Sequence, residues 1–310
     1  MSGVELLFLG TGGAWSLPEL GCNCFICGEM RKRGERRRRT ALALKGAGTL
    51  LVDCGPDIAS QLQDNGVGRP DAVLITHEHG DHFLGLDELV SFRRTTPKGR
   101  FEPIPAYMTS QTLAAVRRRF DYLQGMGVLA FREVKEDEPL NAGAFRVLPF
   151  KTHHGTFAAG SVGYVIDAPG ENGSRKRLVY TSDFVDLPEP PPELLHPDIL
   201  VIQSFWLNEP AHNRPNHMSF QKALVYIDRW APKGRTYLVH IGDGDPVPGD
   251  PANAMSKKYA PADPMRTPGG ECYPIPRCQE DWQAVVDRIV RDRALSRTIV
   301  VAEDGLRVVL

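Results

Sequence analysis

Apolar runs of four to six residues, separated by turns rich in Gly, Pro and Asp, recur along most of the chain. Runs of this length read as buried strands. Residues 4–9 (VELLFL) predict the first, closed by Gly10-Thr11-Gly12-Gly13. Residues 40–44 and 49–52 predict a hairpin around Gly46-Ala47-Gly48. Pro56 opens a predicted helix, PDIASQLQDNG, with Gly66 past its end. Residues 71–75 (DAVLI) predict another strand, and the period becomes helical at about 84–94 and 110–123. Strands return at about 144–150, 162–166, 178–181 and 199–203. A helix over about 219–230 leads into a strand at 235–239, and a last helix covers about 279–293. The closing TIVVAEDGLRVVL predicts a hairpin turning at Asp304-Gly305.

The early strands follow one another directly, and helices enter later. This argues for layers of sheet covered by helices rather than a strict βαβ repeat. The expectation is a single domain over 1–310. One stretch stands apart: residues 243–280 hold eight prolines and four glycines in 38 positions. A structureless segment of this length is usually functional, so it is read as an insertion that rims or covers a site.

Charge narrows the partners. Lys plus Arg is 37 and Asp plus Glu is 38, a formal net charge of −1, which excludes a global attraction to nucleic acid or anionic membrane. No apolar run approaches the ~20 residues of a membrane span, so no membrane partner is expected. The first residues lack the basic start and long apolar stretch of an export signal, so a cytoplasmic location is expected. A local basic patch remains open. Arg31, Lys32, Arg33, Arg36, Arg37, Arg38 and Arg39 place seven cations in nine positions. Such a run is either a solvated face or a phosphate or nucleic-acid contact.

The strongest chemical signal is Thr76-His77-Glu78-His79-Gly80-Asp81-His82, directly after a predicted strand. Nine histidines in 310 residues would place roughly 0.2 in a six-residue window by chance, yet three fall here beside an aspartate. Uncompensated imidazoles have no stability rationale together, whereas imidazole and carboxylate are the ligands that first-row divalent metals prefer. Ligands this close in sequence suit two adjacent ions better than one.

The pattern His77-x-His79-x-Asp81-His82 resembles the signature of the metallo-β-lactamase fold superfamily. Further elements match in order. Asp53 in Leu51-Val52-Asp53-Cys54-Gly55 resembles the aspartate that supports the site from behind. His154-Gly155 resembles the third ligand motif, with His153 an open alternative to His154. Asp183 in Tyr180-Thr181-Ser182-Asp183 resembles the bridging carboxylate, and His240 the final ligand. The resemblance covers residues 4 to about 240 plus the C-terminal segment. It implies an α/β four-layer αββα sandwich. It also implies two divalent ions, Zn or Mn, one on His77, His79, His154 and Asp183, the other on Asp81, His82, Asp183 and His240. Such a pair would activate water for hydrolysis, with Asp81 orienting that water.

Cys22-x-Cys24-x-x-Cys27 can fold around one tetrahedral, structural Zn²⁺. This knuckle, at residues 21–28, resembles a narrower branch that includes the phosphodiesterase of the carbon–phosphorus lyase pathway and the B protein of pyrroloquinoline quinone biosynthesis. In that phosphodiesterase the fourth ligand is a His three residues after the last reactive-site His. Here Asp243 holds that place, with Cys272 or Cys278 as alternatives. His217 resembles a phosphate-contacting His of the same branch and is read as a catalytic donor, general acid or phosphate contact. His212 competes with it less well.

The leading expectation is a phosphodiesterase acting on a small or cyclic phosphodiester. The alternatives are an RNA-processing nuclease using the arginine run, or a non-hydrolytic accessory protein of cofactor biosynthesis. The intact ligand set favours hydrolysis. The expected partners are a small-molecule phosphodiester, a local nucleic-acid contact through the arginines, and a second copy in a homodimer.

Overall fold

The protein is described from a computed structural model, which covers residues 3–169, 174–187 and 190–310. Six strands come first: β1 (Glu5–Gly10), β2 (Ala41–Lys45), β3 (Thr49–Val52), β4 (Ala72–Leu74), β5 (Ile104–Met108) and β6 (Leu129–Glu133). Seven more build a second sheet: β7 (Leu140–Ala142), β8 (Phe145–Lys151), β9 (Val162–Pro169), β10 (Arg175–Tyr180), β11 (Ile199–Gln203), β12 (Thr236–Val239) and β13 (Ile299–Val301). The last, β14 (Arg307–Val309), returns to the first sheet beside β1. Each sheet has seven strands, ordered β14-β1-β2-β3-β4-β5-β6 and β13-β12-β11-β10-β9-β8-β7.

Strand alternation makes the layers. In β1, Leu6 and Phe8 enter the core between the sheets, whereas Leu7 and Leu9 enter a second core under helices. Both faces are buried, which is why the run reads as continuously apolar. In β11, Val201 faces the inter-sheet core and Ile202 faces a third core. The helices are α1 (Phe25–Arg33), α2 (Ile58–Asp64), α3 (Gly80–Phe83), α4 (Val90–Thr95), α5 (Ser110–Gly125), α6 (Phe220–Trp230) and α7 (Gln279–Asp292). Helices α2 and α5 cover the first sheet through Ile58, Leu62, Leu113 and Val116. Helices α6 and α7 cover the second through Ala223, Ile227, Trp282 and Val286. The result is the expected αββα sandwich.

The terminal hairpin does not form. β13 pairs in parallel with β12 (Thr236↔Ile299), and β14 pairs antiparallel with β1 (Glu5↔Val309), so the two strands lie in different sheets. The Asp304-Gly305 turn crosses the edge of the sandwich and is fastened to β1: Gly305 N–H donates to Phe8 O (2.7 Å) and Phe8 N–H to Leu306 O (3.0 Å). Tertiary pairing here outweighs a local turn signal. The helix expected over 84–94 is also broken, into a tight turn at Leu86–Leu89 followed by α4. The break lies next to Gly85, where a Cβ would come within 2.0 Å of Gly55 O. Strands β5, β6 and β7 and helix α1 were not foreseen. None of the described helices is long and apolar enough to cross a membrane.

The Pro/Gly-rich stretch is largely irregular but well packed. Val247 and Ala252 join a small core with Cys22, Cys24 and Cys27, and Met265 and Tyr273 join the core under α6 and α7. In place of a lid, it forms a buttress for the cysteine segment.

Candidate metal centre

The chemistry-bearing residues gather at one end of the sandwich. They occupy the ends of β3, β4, β10, β11 and β12 and the loops that follow. His77 sits just past β4, His79 caps α3, and Asp81 and His82 lie within α3. The short helix can lie against the end of β3 because Gly55 is there, where a Cβ would stand 2.0 Å from Asp81 O. Four of the eight non-glycine residues with positive φ among the described residues belong to this end of the fold: Asp53 (63°), Ser182 (56°), Asn216 (57°) and His240 (58°). Each such conformation costs on the order of 1–3 kcal/mol and persists where the surroundings impose it, typically at functional sites.

The ligand atoms of His77, His79 and His154 lie within 4.8 Å of one another, as do those of Asp81, His82, Asp183 and His240. Asp183 reaches both groups: its Oδ2 is 2.9 Å from His240 Nε2, 3.5 Å from His82 Nε2 and 3.7 Å from His154 Nε2. His154 and His79 approach through ring nitrogens 3.2 Å apart. Of the two neighbouring histidines, His154 is buried in this cluster, whereas His153 is exposed and pairs through its backbone with Asp186.

These residues fit a divalent cation pair on two counts. Nε2 of His77, His82 and His240 and both oxygens of Asp183 are buried without a hydrogen-bond partner, although the pairs approach closely. Buried polar atoms are nearly always satisfied, so five convergent orphans mark a missing partner. The electrostatics agree. Burial holds His77, His154 and His217 well below the ordinary range, His154 at about 4, so these rings are neutral and have lone pairs to give. At His82 and His240 burial acts in the same direction, but the carboxylates of Asp81 and Asp183 outweigh it and lift both, His240 to about 9. Asp81 and Asp183 are correspondingly held low despite burial. The carboxylate half of the cluster therefore calls for positive charge, which a cation would supply.

Two supports stand behind the ligands. Asp53 Oδ2 lies 2.7 Å from His82 Nδ1, while its Oδ1 accepts the N–H (2.9 Å) and hydroxyl (3.0 Å) of Thr76. Gln203 at the end of β11 was missed by sequence reasoning. Its Nε2 is 2.7 Å from His217 Nδ1 and 3.1 Å from His240 Nδ1, and its Oε1 accepts the N–H of Phe184 and of Met218, both at 3.0 Å. The two backbone donors hold the amide with its NH₂ toward the rings, against Nδ1 of both imidazoles. A lone Gln ending an apolar strand was the available signal. His217 stacks on Phe205 (4.7 Å between ring centroids, 15°) and its Nδ1 is 3.6 Å from Asp183 Oδ2, so it belongs to the cluster. His212 is exposed and does not.

The second candidate metal site is separate. Sγ of Cys22, Cys24 and Cys27 and a carboxylate oxygen of Asp243 lie within 4.8 Å of one another, all four buried. Cys278 instead caps α7, accepting Asp281 N–H at 3.5 Å, and Cys272 is exposed, so neither alternative joins the thiols. A hydrogen bond from Cys27 lowers Cys24 to about 6.

The arginine run is divided by the fold. Arg31 donates to Cys22 O and Glu19 O, Arg33 pairs with Glu29 and Glu280, and Arg36 with Asp64. Arg37 is buried, donating to Thr11 Oγ1 and Ala302 O, while Arg38 meets Asp304 and Asp64, and Arg39 meets Asp57. Arg31, Lys32, Arg33 and Arg36 remain exposed, whereas Arg37 and Arg38 are buried and Arg39 is half-buried, so the run is part solvated face and part structural support. Lys32 and Arg33 pair within their own helix with Glu29, whereas the partners of Arg37, Arg38 and Arg39 come from segments distant in sequence.

A family model described as a beta-lactamase superfamily domain matches residues 49–241, most of the chain. The chain belongs to this superfamily. Among curated proteins it is similar to an octanoyltransferase of Porphyromonas gingivalis, 29% identical over 79% of this chain and 47% of that protein. It is also similar to a ribonuclease Z of Archaeoglobus fulgidus, 28% identical over 56% of this chain and 51% of that one. The chain thus spans about half the length of these relatives. Among solved structures, a diphosphatase from the PhnP family shares the fold with a TM-score of 0.70 at 22% identity, over 99% of this chain and 98% of that one. In this superfamily member, the matched region takes in the whole histidine–carboxylate cluster, whereas the three cysteines lie before it and Asp243 just after.

Proposed function

We propose that the protein is a metal-dependent phosphodiesterase that hydrolyses a small or cyclic phosphodiester at the histidine–carboxylate cluster. The observation that carries this reading is the convergence of five orphaned, buried ligand atoms from His77, His82, Asp183 and His240 beside His79 and His154 at one end of the sandwich. Two divalent cations, Zn or Mn, held by His77, His79, His154 and Asp183 and by Asp81, His82, Asp183 and His240, would make water acidic enough to attack near neutral pH and offset phosphoryl charge. Asp183 is the residue shared between the two sets. Asp81, half-buried, is the carboxylate placed to orient an attacking water. His217, kept neutral by burial, offers a ring N–H to a phosphoryl or leaving oxygen. The thiolate site would hold a structural Zn, since all four of its ligands are buried. The family membership and the names of the diphosphatase and ribonuclease Z relatives support phosphoester chemistry.

The test compares bis-p-nitrophenyl phosphate with a thioester and a β-lactam on the metal-loaded protein, alongside a His79→Ala variant. Cleavage of the phosphodiester alone, lost in the variant, is the expected result. Cleavage of the thioester or the β-lactam in preference would overturn it. The ribonuclease Z likeness favours a nuclease as the second reading. Faster cleavage of an RNA oligonucleotide than of 2′,3′-cyclic AMP would select it.

A further inference from the structure

The cysteine site has a fifth participant. Lys257, from the Pro/Gly-rich stretch, places its Nζ 2.9 Å from Cys22 Sγ and against Asp243 Oδ2, with Glu19 Oε2 behind it at 2.5 Å. Its ammonium thus touches two of the four candidate ligands. Backbone N–H groups reach the thiols as well: Glu19 donates to Cys27 Sγ (3.3 Å), Cys24 to Cys22 Sγ (3.4 Å) and Cys27 to Cys24 Sγ (3.4 Å). Three thiolates and one carboxylate around a divalent cation carry a net charge of −2, in a site where Cys24 and Cys27 are fully buried. Uncompensated buried charge is strongly unfavourable. A neutral imidazole in place of Asp243 would leave −1. Asp243 and Glu19 are matched by Lys257 and Lys258, so these four residues sum to zero and together present the charge of one neutral ligand.

We propose that Lys257 is a positioning residue of the cysteine metal site, which it stabilises by hydrogen-bonding the Cys22 thiolate and offsetting the charge of Asp243. This rests on the reading that the site binds zinc. Lys257 lies 14 residues beyond Asp243, and Lys258 next to it donates to the backbone carbonyls of Asp243 and Asp245. The contact therefore also clasps the proline-rich stretch onto the knuckle, where Asp250 Oδ2 accepts Phe25 N–H at 2.8 Å. Loss of the ammonium removes the cation that contacts both the Asp243 carboxylate and the Cys22 thiolate, leaving only the metal ion to offset them at contact distance.

The experiment uses the full-length zinc-loaded protein and reads the cysteine site by itself. Zinc is challenged with a chelator while alkylation of Cys22, Cys24 and Cys27 is followed by peptide mass spectrometry. Lys257→Met is expected to weaken zinc retention roughly ten- to a hundredfold, as loss of a partner behind a metal ligand does. The double variant Asp243→His with Lys257→Met is expected to recover retention to within about threefold of the parent, because a neutral ligand needs no offsetting cation. Cobalt substitution supplies a second readout: thiolate-to-cobalt absorption persists in both variants but shifts in Lys257→Met. If Lys257→Met does not fold, Lys257→Gln takes its place. Unchanged protection in Lys257→Met, or a double variant as weak as the single one, overturns the proposal. A parent whose three cysteines alkylate equally fast with and without zinc sinks the metal-site reading itself, a distinct result.

Discussion

The two candidate metal sites are built in opposite ways. The histidine–carboxylate centre draws on residues from 53 to 240, and each of its two ligand groups includes a side chain only partly buried, His79 or Asp81. The cysteine site takes three ligands from six consecutive positions and a fourth from Asp243, all of them buried. Closed, four-ligand sites stabilise a fold, whereas sites that keep an open position do chemistry. Their charges differ likewise. The centre mixes neutral imidazoles with carboxylates, suiting an exchangeable, reactive ion, while the thiolate site is so anionic that it recruits a lysine. Only two residues separate His240 of one from Asp243 of the other.

The largest expected effect breaks the reactive side alone. Asp183→Asn should lower kcat/KM on a phosphodiester by about a thousandfold, since it removes several kcal/mol of metal-borne charge stabilisation. Bound zinc at the cysteines should persist, as read by metal content and thiol protection. Cys24→Ser should do the reverse, loosening the knuckle zinc by more than the roughly hundredfold typical of an outer partner. Turnover per loaded centre should then change less than about tenfold; a larger loss would show that the two sites are not separable. Asp53→Asn, which leaves every ligand in place, should weaken metal affinity and activity roughly ten- to a hundredfold.

The smallest effect is graded with pH. The folded pKa of His240 is raised from 6.5 to about 9 because Asp183 and Asp81 outweigh its burial. In the metal-free protein its stabilisation is therefore fully present below pH 6.5 and lost as pH rises through about 9. Metal uptake must displace this proton and the one held by His82, so affinity at the centre should rise by at least about tenfold per pH unit up to pH 9, measured by competition with a chelator. Proton release absent from calorimetry in buffers of differing ionisation enthalpy would contradict this.

Much of the fold was legible because its strands are apolar on both faces and bounded by strong turn residues. Residues 49–52 and 199–203 form strands with the bounds expected of them. The errors share one cause. Ile299–Val301 and Arg307–Val309 look like hairpin partners locally, yet each finds a better partner far away in sequence. Arg37 looks like one more surface cation, yet it is buried against Thr11 and Ala302. Helix α1, with no acidic residue in its first turn and three basic residues in its last, starts at Cys24, whose Sγ accepts Cys27 N–H. A metal-ligating pattern masked a helix cap.

Residue type and short-range spacing alone determined the ligand chemistry: imidazole and carboxylate bunched after one strand, thiols bunched after another. Short spacing suffices because ligand preference is a property of each donor atom, not of its surroundings. Which neighbouring histidine turns inward, that Gln203 meets two rings, and that Lys257 reaches the thiols were decided by tertiary packing. Those outcomes depend on which distant segments a strand or loop meets, and contact between distant segments carries no local period to read.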